Sequence, residues 1–550
     1  MSDVEQEEKK PLKAVGVVTE TLGNGLRAIC NLETLREMSS VDYNDVDLSP
    51  GQIGTILKIK VAKGYLFVTV RGIKSLLENN LPTNQVSMQL DYLGHGMLAP
   101  MTRSGMTFDR GVKDFPVPGE KIYPVTTKDV EAIFGFNDRN HFHLGQVFPQ
   151  HITPASFDIN ALLGKHFAVL GSTGTGKSCT VALIIRRIVE RLPKAHIIML
   201  DPHNEYETAF SDCAEHFDIK NLRLPYWMMN FEEHIEMFIG TYKANTRMTE
   251  IDVLRRALYA ARVDNSDFLS PDEITVDTPI PYKLSFLIKF LDEEMGKLEN
   301  PDNITPFLRI KNKVEELRKD TRFSFMFSGM LANDNLGMTL SNLFRFPVDD
   351  KPISTIDLSG VPSEIVNVVV SVISRAVFDF AVWSRGDDAS PILLVCEEAH
   401  RYVPTDLSTV FASTKKAIER IAKEGRKYGV SLGLVSQRPA DVSESALSQC
   451  GTIFSMRLNN ERDQNFVAHV MPEGSSGSLA SLSSLQNREV LAVGEGVVAP
   501  VRMLVDKLEE NHLPSSGSPD FATDWQHTLE DPDFVNKTIY NWRKFGRGER

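Results

Sequence analysis

The sequence predicts an α/β protein built on a mostly parallel β-sheet, with a small antiparallel β-barrel before the sheet and a helical subdomain inserted into it. From residue 161 onward, short apolar runs typical of buried strands alternate with amphipathic helical stretches. Residues 13–135 contain short β-type runs separated by turn residues. Residues 226–327 contain a series of helical stretches that breaks this alternation. These three patterns carry the prediction.

Composition limits the classes of protein to which the chain belongs. A length of 550 residues is typical of roughly two to four domains, and 42% hydrophobic with 24% charged residues is ordinary for a globular protein. Residues 1–12 are charged and lack the apolar core of a signal peptide, so we expect a disordered start. The longest apolar run, residues 365–383, contains Asn367, Arg375 and Asp379, which is typical of a buried helix. We therefore expect a cytoplasmic protein without a membrane span.

Charge and cysteine usage narrow the expected ligands. The formal net charge of −13 at pH 7 argues against a general basic surface for nucleic acid, so contact with DNA would come from a local patch or from loops that line a pore. The five cysteines are far apart without a C-x-x-C pair, which is typical of reduced thiols and argues against a zinc site. His141 and His143 have no third candidate ligand nearby, so we predict no metal there.

The N-terminal region predicts a docking or assembly module. Its β-type runs are residues 14–19, 53–61, 65–71 and 86–92. They predict an antiparallel barrel over residues 13–135, in which no set of catalytic residue types is apparent. Residues 136–160 are predicted to be a connector.

The segment of residues 167–180 combines a strand, a glycine-rich loop and the start of a helix. Residues 171–178 fit the phosphate-loop pattern G-x-x-x-x-G-K-[ST], in which glycines let backbone N–H groups surround phosphate oxygens. We expect Lys177 to contact the β- and γ-phosphates of ATP and Ser178 to bind Mg²⁺, while the positive end of the helix attracts the same charge. The predicted nucleotide-binding residues of this loop are Gly171, Ser172, Thr173, Gly174, Thr175, Gly176, Lys177, Ser178 and Cys179.

The rest of the chain supplies one core sheet and two additions. Strands are predicted at residues 196–201, 353–358, 392–396, 430–435, 452–456, 490–493 and 501–505, which form a RecA-like P-loop ATPase core over residues 161–225 and 328–506. Residues 226–327 form the predicted insertion, with helices at 231–244, 250–262, 282–298 and 306–320. Residues 507–550 combine a linker with a tail that contains Trp525, Tyr540 and Trp542 and is predicted to brace a neighbouring subunit.

Two carboxylates follow the predicted strand at residues 392–396. We assign Glu397 to the Mg²⁺ shell, through water, and Glu398 to activation of the attacking water. Gln437 ends another strand and is predicted to sense the γ-phosphate, because the carboxyl ends of parallel strands meet at one edge of a sheet. Three polar residues that end a further strand on this edge are expected to support the water or to couple hydrolysis to neighbouring elements: Asp201, His203 and Glu205.

The chain has room for one RecA-size core, because the residues after Glu398 complete this sheet and leave a tail too short for another. A positive charge for the γ-phosphate would most simply come from a neighbouring subunit, which predicts a ring. The densest basic stretch, residues 415–427, contains the two candidates for this arginine finger, Arg420 and Arg426. The lysines of this stretch are equally well explained as the solvent-exposed face of a helix.

Together these motifs resemble the HerA-like ATPases, which are hexameric DNA translocases of the HerA/FtsK branch of P-loop proteins. The similarity covers most of the chain, including a β-rich N-terminal region similar to the family's HAS barrel. Glu397 stands where the family usually has aspartate. Lys165 stands where the family often has arginine before the first strand, so the resemblance makes Lys165 a candidate nucleotide-binding residue. The segments that carry the similarity, in the family's order, are 171–178, 201–206, 226–231, 397–400, 424–429 and 436–439.

The resemblance implies ATP- and Mg²⁺-dependent movement along double-stranded DNA through the pore of a homo-hexamer. It also implies a partner docked on the N-terminal barrel face: a nuclease of the NurA type in DNA end processing or, as in some bacterial anti-phage operons, a sirtuin-type NADase or a separate nuclease. Two alternatives stay open. One is a ring scaffold that assembles and activates an effector enzyme with little translocation. The other is a secretion or conjugation motor, against which the absence of a predicted membrane span weighs.

Overall fold

The computed structural model describes residues 13–40, 50–99, 105–149, 151–240, 247–266, 269–297, 301–384, 386, 390–406, 412–471, 482–515, 521–526 and 533–545. The chain divides into two compact units, the first of residues 1–192 and 433–509 and the second of residues 193–432 and 510–550. The predicted disordered start, residues 1–12, lies outside the described residues, as does part of the predicted C-terminal linker and tail.

The strands and α-helices of the described residues are numbered in chain order. The strands are β1 (Gly16–Leu22), β2 (Gly25–Asn31), β3 (Ile56–Val61), β4 (Gly64–Glu78), β5 (Leu81–Leu98), β6 (Met106–Arg110), β7 (Lys121–Pro124), β8 (His141–Val147), β9 (Pro154–Asp158), β10 (Phe167–Leu170), β11 (His196–Asp201), β12 (Ala214–Phe217), β13 (Ile353–Asp357), β14 (Ile392–Cys396), β15 (Val430–Ser436), β16 (Thr452–Ser455), β17 (Glu489–Gly494) and β18 (Val501–Val505). The helices are α1 (Leu32–Ser40), α2 (Thr127–Phe134), α3 (Ile159–Gly164), α4 (Lys177–Arg191), α5 (Phe231–Phe238), α6 (Met248–Asp264), α7 (Leu284–Met295), α8 (Pro301–Lys319), α9 (Ser324–Phe327), α10 (Leu336–Phe344), α11 (Val366–Trp383), α12 (Ala412–Glu424), α13 (Glu444–Leu447), α14 (Glu461–Val470), α15 (Phe521–Asp524) and α16 (Phe534–Phe545).

The N-terminal part of the first unit is a seven-stranded antiparallel sheet with the strand order β2-β1-β7-β3-β4-β5-β6. Strand β2 also pairs with β5, from Leu26 opposite Leu90 to Asn31 opposite Gln85, and this pairing closes the sheet into a barrel. Alternate residues of β2 are buried in the barrel core, as expected of strands with one face inside and one face in water.

A second sheet of the first unit contains the glycine-rich segment. Its strand order is β15-β10-β16-β17-β18-β8-β9, with residues 433–436 of β15 belonging to this unit. The pairs of β10 with β15 and β16 are parallel, whereas the remaining pairs are antiparallel. The prediction of a parallel arrangement is therefore wrong for β17 and β18. Only residues 495–500 join these two strands, and a parallel connection needs a crossover of roughly a dozen residues or more.

Residues 136–160, predicted to be a connector, contain β8 and β9 and extend this second sheet. Strand β8 pairs with β18, and β9 pairs with β8. Their apolar side chains Phe142, Leu144 and Phe157 are buried. Nδ1 of His143 in β8 and Oγ of Ser156 in β9 are 3.1 Å apart, and the residues His141 to Leu144 alternate between polar and apolar as in a strand with one buried face.

The second unit contains four parallel strands in the order β12-β13-β11-β14. Residues between β12 and β13 carry α5 to α10, and α5 to α8 lie at the four positions at which the sequence predicts helices. Helix α5 begins at Phe231 because Asn230 and Glu233 form a capping box. Helix α11 is long and apolar enough to span a membrane, but 67% of its apolar window is buried inside the protein, as in a core helix.

Candidate functional site

In the first unit, the glycine-rich loop joins the buried strand β10 to helix α4. Gly174 and Gly176 have φ angles of +77° and +97°, a left-handed backbone that other residue types rarely adopt. A Cβ atom on Gly171 would lie 2.8 Å from Cβ of Met456, so a side chain is excluded there too. The three glycines therefore shape a loop that a larger residue at any of these positions would distort.

Hydrogen bonds hold this loop together and fix it to the neighbouring strand ends. Within the loop, the Thr175 hydroxyl donates to the carbonyl oxygen of Ser172 (2.8 Å). The Ser172 N–H donates to the carbonyl oxygen of Arg457 (3.0 Å), and the Arg488 N–H donates to the carbonyl oxygen of Thr175 (3.1 Å). Arg457 follows β16 closely and Arg488 directly precedes β17, and both are half-buried. Sequence reasoning missed these two loop neighbours, because they contact the loop through backbone atoms that no side-chain pattern reports.

The structure brings Gln437 to the phosphate loop. The Thr173 hydroxyl donates to Oε1 of Gln437 over 2.6 Å, and Gln437 lies just beyond the end of β15, which pairs with β10. Thr173 is exposed and Gln437 is half-buried. Because this amide contacts the loop itself, a ligand in the loop would change the surroundings of Gln437.

The first turn of α4 carries the residues that could hold phosphate and a metal ion. Lys177 opens the helix and is 8% exposed, and Ser178 and Cys179 follow it, both half-buried. The first turn contains no acidic residue, and its N–H groups and the Lys177 ammonium place positive charge at the start of the helix. This combination fits an anion such as a nucleotide phosphate.

Lys165 does not join the phosphate loop. It caps α3 before the amino end of β10, whereas the loop follows the carboxyl end of that strand. Four extended residues separate the two ends by about 13 Å. The Lys165 ammonium is bound to the carboxylate of Glu495. Within its own unit Lys165 therefore lies away from the phosphate loop, and its contact with a nucleotide stays a prediction.

In the second unit, the predicted acidic pair follows β14. Glu397 is 2% exposed and Glu398 is 6% exposed. Glu398 has φ 51° and ψ 47°, a left-handed conformation that costs a non-glycine residue of the order of 1 kcal/mol. Nδ1 of His400 lies 3.2 Å from Oε2 of Glu398. A buried carboxylate on a strained turn is suited to accept a proton from water.

Glu397 is held by a tyrosine. The Tyr206 hydroxyl donates to Oε2 of Glu397 over 2.9 Å, and burial raises the pKa of this hydroxyl well above its ordinary value, so it remains a donor. The carboxylate of Asp201 accepts the backbone N–H groups of His203 (3.2 Å) and Tyr206 (2.9 Å). Burial raises the pKa of Asp201 and these N–H groups oppose the rise. Asp201 therefore shapes the turn that delivers Tyr206 to Glu397.

The two arginine-finger candidates differ in their surroundings. The Arg420 guanidinium lies 4.3 Å from the centre of the Phe378 ring and 3.9 Å from Oδ1 of Asp379, so it is held within its own unit. Arg426 is exposed and, within the described part of the chain, forms no ion pair. The surroundings favour Arg426 as the residue available to a neighbouring molecule.

The described residues contain no group of three or more histidine, cysteine, aspartate or glutamate side chains arranged to hold a metal ion. The hydrogen bonds of His141 and His143 are made to Asp138 and Ser156 instead. A magnesium ion that accompanies a nucleotide does not need such a cluster, because phosphate oxygens and water supply most of its ligands. The hydroxyl of Ser178 and the carboxylate of Glu397, considered separately, carry the oxygen donors that Mg²⁺ prefers.

Comparison with known proteins shows which family the chain resembles. The family model of the helicase HerA central domain matches residues 142–377, which include the phosphate loop. The chain is 27% identical to the DNA double-strand break repair helicase HerA of Pyrococcus furiosus, covering 71% of this chain and 74% of that protein. The chain is similar to the HerA helicases. The HerA-like chain is also 26% identical to the helicase of the same name from Saccharolobus solfataricus, covering 79% of this chain and 89% of that protein.

The solved structures agree on the fold of the HerA-like chain. VirB4 of Thermoanaerobacter pseudethanolicus matches it with a TM-score of 0.50 at 15% identity, over 68% of this chain and 98% of VirB4. At this identity the likeness concerns the fold alone. The core therefore has a RecA-like α/β fold, as the sequence predicts.

Proposed function

We propose that this HerA-like protein is an ATP-driven translocase of the DNA-helicase class that acts on double-stranded DNA as a homo-hexamer. It is an ATPase. The observation that carries the proposal is the phosphate loop, which lies inside the matched HerA central domain and whose three glycines give it a shape that fits a nucleotide phosphate. Relatives named as DNA double-strand break repair helicases support DNA as the substrate.

The residues assigned from the sequence would each serve one step of ATP hydrolysis. Lys177 and the N–H groups of the loop bind the phosphates, and Gln437 responds to the γ-phosphate through its contact with Thr173. Mg²⁺, when bound, neutralises charge on the β- and γ-phosphates, and Ser178 and Glu397 would hold it, Glu397 through water. Glu398 orients the attacking water and accepts its proton.

A ring completes this proposed site. The chain contains one phosphate loop, and stabilisation of charge on the transferred phosphoryl group by an arginine from a neighbouring subunit is a known solution in P-loop proteins. The exposure of Arg426 supports it over Arg420 as that residue.

The remaining regions of the chain are proposed to serve assembly. The N-terminal barrel would be a HAS-type module whose face docks a NurA-like nuclease or, in a defence role, a sirtuin-type NADase or another nuclease. Residues 226–327 would be an inserted helical subdomain, and residues 507–550 would brace a neighbouring subunit with exposed aromatic side chains such as Trp525 and Trp542. The protein would work in the cytoplasm, in DNA end processing or in anti-phage defence.

The test is the dependence of ATP turnover on DNA. We expect duplex DNA to raise the steady-state rate of phosphate release several-fold above the rate without DNA, because translocation couples each hydrolysis step to movement along the duplex. A turnover rate that is the same with and without saturating duplex, measured on the same oligomer, would contradict translocation. That result would instead favour the ring scaffold that activates an effector enzyme.

A further inference from the structure

A basic pocket in the second unit shares no residue with the candidate functional site. It has a volume of about 260 Å³ and is formed by the turn after β12 and the segment between α8 and α10. Its polar lining consists of three cations and three hydroxyls: Lys220, Arg223, Arg322, Thr321, Ser324 and Ser328. We call this set the basic pocket.

Hydrogen bonds hold the turn that carries Lys220 and Arg223. The Asp218 carboxylate accepts the backbone N–H groups of Lys220 (2.8 Å) and Asn221 (3.2 Å). The Asn221 side chain donates to the carbonyl oxygen of His216 over 2.7 Å. The Leu224 N–H donates to the carbonyl oxygen of Phe325 (3.1 Å), which joins this turn to the other wall of the pocket. The cations are therefore presented from two connected walls.

The arginines of the basic pocket differ in their hydrogen-bond and ion-pair partners. Arg322 is paired with Asp320 at 2.6 Å, and this pairing holds the pKa of the Asp320 carboxyl below its ordinary value. Arg223 donates to the carbonyl oxygens of Lys220 and Leu222, each at 2.8 Å. Among the described residues Arg223 has no carboxylate partner. In a chain of net charge −13, such a pocket is a local site for an anion.

We propose that the basic pocket binds phosphate groups of a nucleic-acid backbone. Guanidinium, ammonium and hydroxyl groups are the donors that contact phosphodiester oxygens. The lining contains no aromatic ring on which a base could stack, so the contact reads the backbone and not the base sequence. This inference rests on the proposed action on DNA and assigns part of the DNA contact to Lys220 and Arg223.

The test compares three double variants of the full-length protein in binding to a mixed-sequence 30-base-pair duplex, with salt varied from about 50 to about 200 mM. The first, Lys220→Glu with Arg223→Glu, reverses the charge of the pocket. The second, Lys220→Arg with Arg223→Lys, keeps it. The control, Lys289→Glu with Lys297→Glu, makes the same charge change at side chains of α7 and its end that are 72% and 70% exposed.

For the charge-reversed variant we expect at least a tenfold loss of affinity and a slope of log K against log salt that is shallower by about 2, since each phosphate contact contributes about 0.9. The charge-keeping variant should match the wild type, and basal ATP turnover without DNA should be unchanged in all three. Equal losses in the charge-reversed variant and the control would overturn the pocket assignment. If the charge-reversed variant bound inorganic phosphate more weakly than the wild type but bound the duplex equally well, the pocket would be a site for free phosphate. That result would also overturn the assignment of the pocket to DNA. A wild type that binds no duplex would contradict the proposed function itself.

Discussion

Replacing Lys177 with alanine is expected to lower ATP turnover by at least about 100-fold, the effect of removing one strong donor from a preorganised anion site. Lys177 is 8% exposed at the start of α4, directly after the glycine-rich loop, where its ammonium is placed to contact a phosphate bound by that loop. The measurement is steady-state phosphate release with saturating duplex DNA, alongside thermal unfolding to establish that the variant is folded.

Lys165→Ala is the matched control for this variant. It removes a lysine from the same unit that is bound to Glu495 and lies at the opposite end of β10 from the loop. We expect this variant to keep wild-type turnover. A folded Lys177→Ala protein that hydrolyses ATP normally, or a Lys165→Ala protein that is equally inactive, would refute the assignment of the phosphate site.

Replacing Glu398 with glutamine is expected to slow hydrolysis by about 10²–10⁴-fold while nucleotide binding is preserved. Glutamine keeps the size of the side chain and its contact with His400 but cannot accept a proton from water. Single-turnover hydrolysis and binding of a fluorescent ATP analogue separate the chemical step from affinity.

Glu397→Gln provides the comparison for Glu398→Gln. Because Glu397 is assigned to the Mg²⁺ shell, its variant should require a higher Mg²⁺ concentration for half-maximal turnover, whereas the Glu398 variant should show an unchanged requirement. If Glu398→Gln retained more than about a tenth of the wild-type rate, another group would have to activate the water.

The phosphate loop could be predicted from the sequence because its conformation is local. Glycines at 171, 174 and 176 are each required by a contact or a left-handed backbone that involves a few neighbouring atoms. The contact between Thr173 and Gln437 follows from the rule that the carboxyl ends of parallel strands meet at one edge of a sheet, although 264 positions separate the two residues.

The pairing of β2 with β5 in the N-terminal barrel could not be predicted, because β2 has few β-branched residues and its partner is distant in sequence.

Sequence reasoning is weaker where a site depends on the direction of a strand and on backbone contacts. The resemblance makes Lys165 a candidate for nucleotide binding, whereas the direction of β10 places it at the opposite end of that strand from the loop of its own unit. Arg457 and Arg488 contact the loop through backbone atoms, which no side-chain motif reports. The order of β17, β18, β8 and β9 depends on antiparallel pairing that a single strand pattern does not encode.

The central claim is that ATP hydrolysis requires a cation from a neighbouring subunit, and mixing two inactive variants tests it most directly. Lys177→Ala lacks the phosphate contact, and Arg426→Ala lacks the proposed finger, with Arg420→Ala as the control that should remain active. In mixed rings, a subunit with intact Lys177 can receive Arg426 from its neighbour, so an equal mixture should recover up to about a quarter of the wild-type turnover. No recovery in rings shown to contain both variants, or full turnover by wild-type protein shown to be monomeric while working, would contradict the claim.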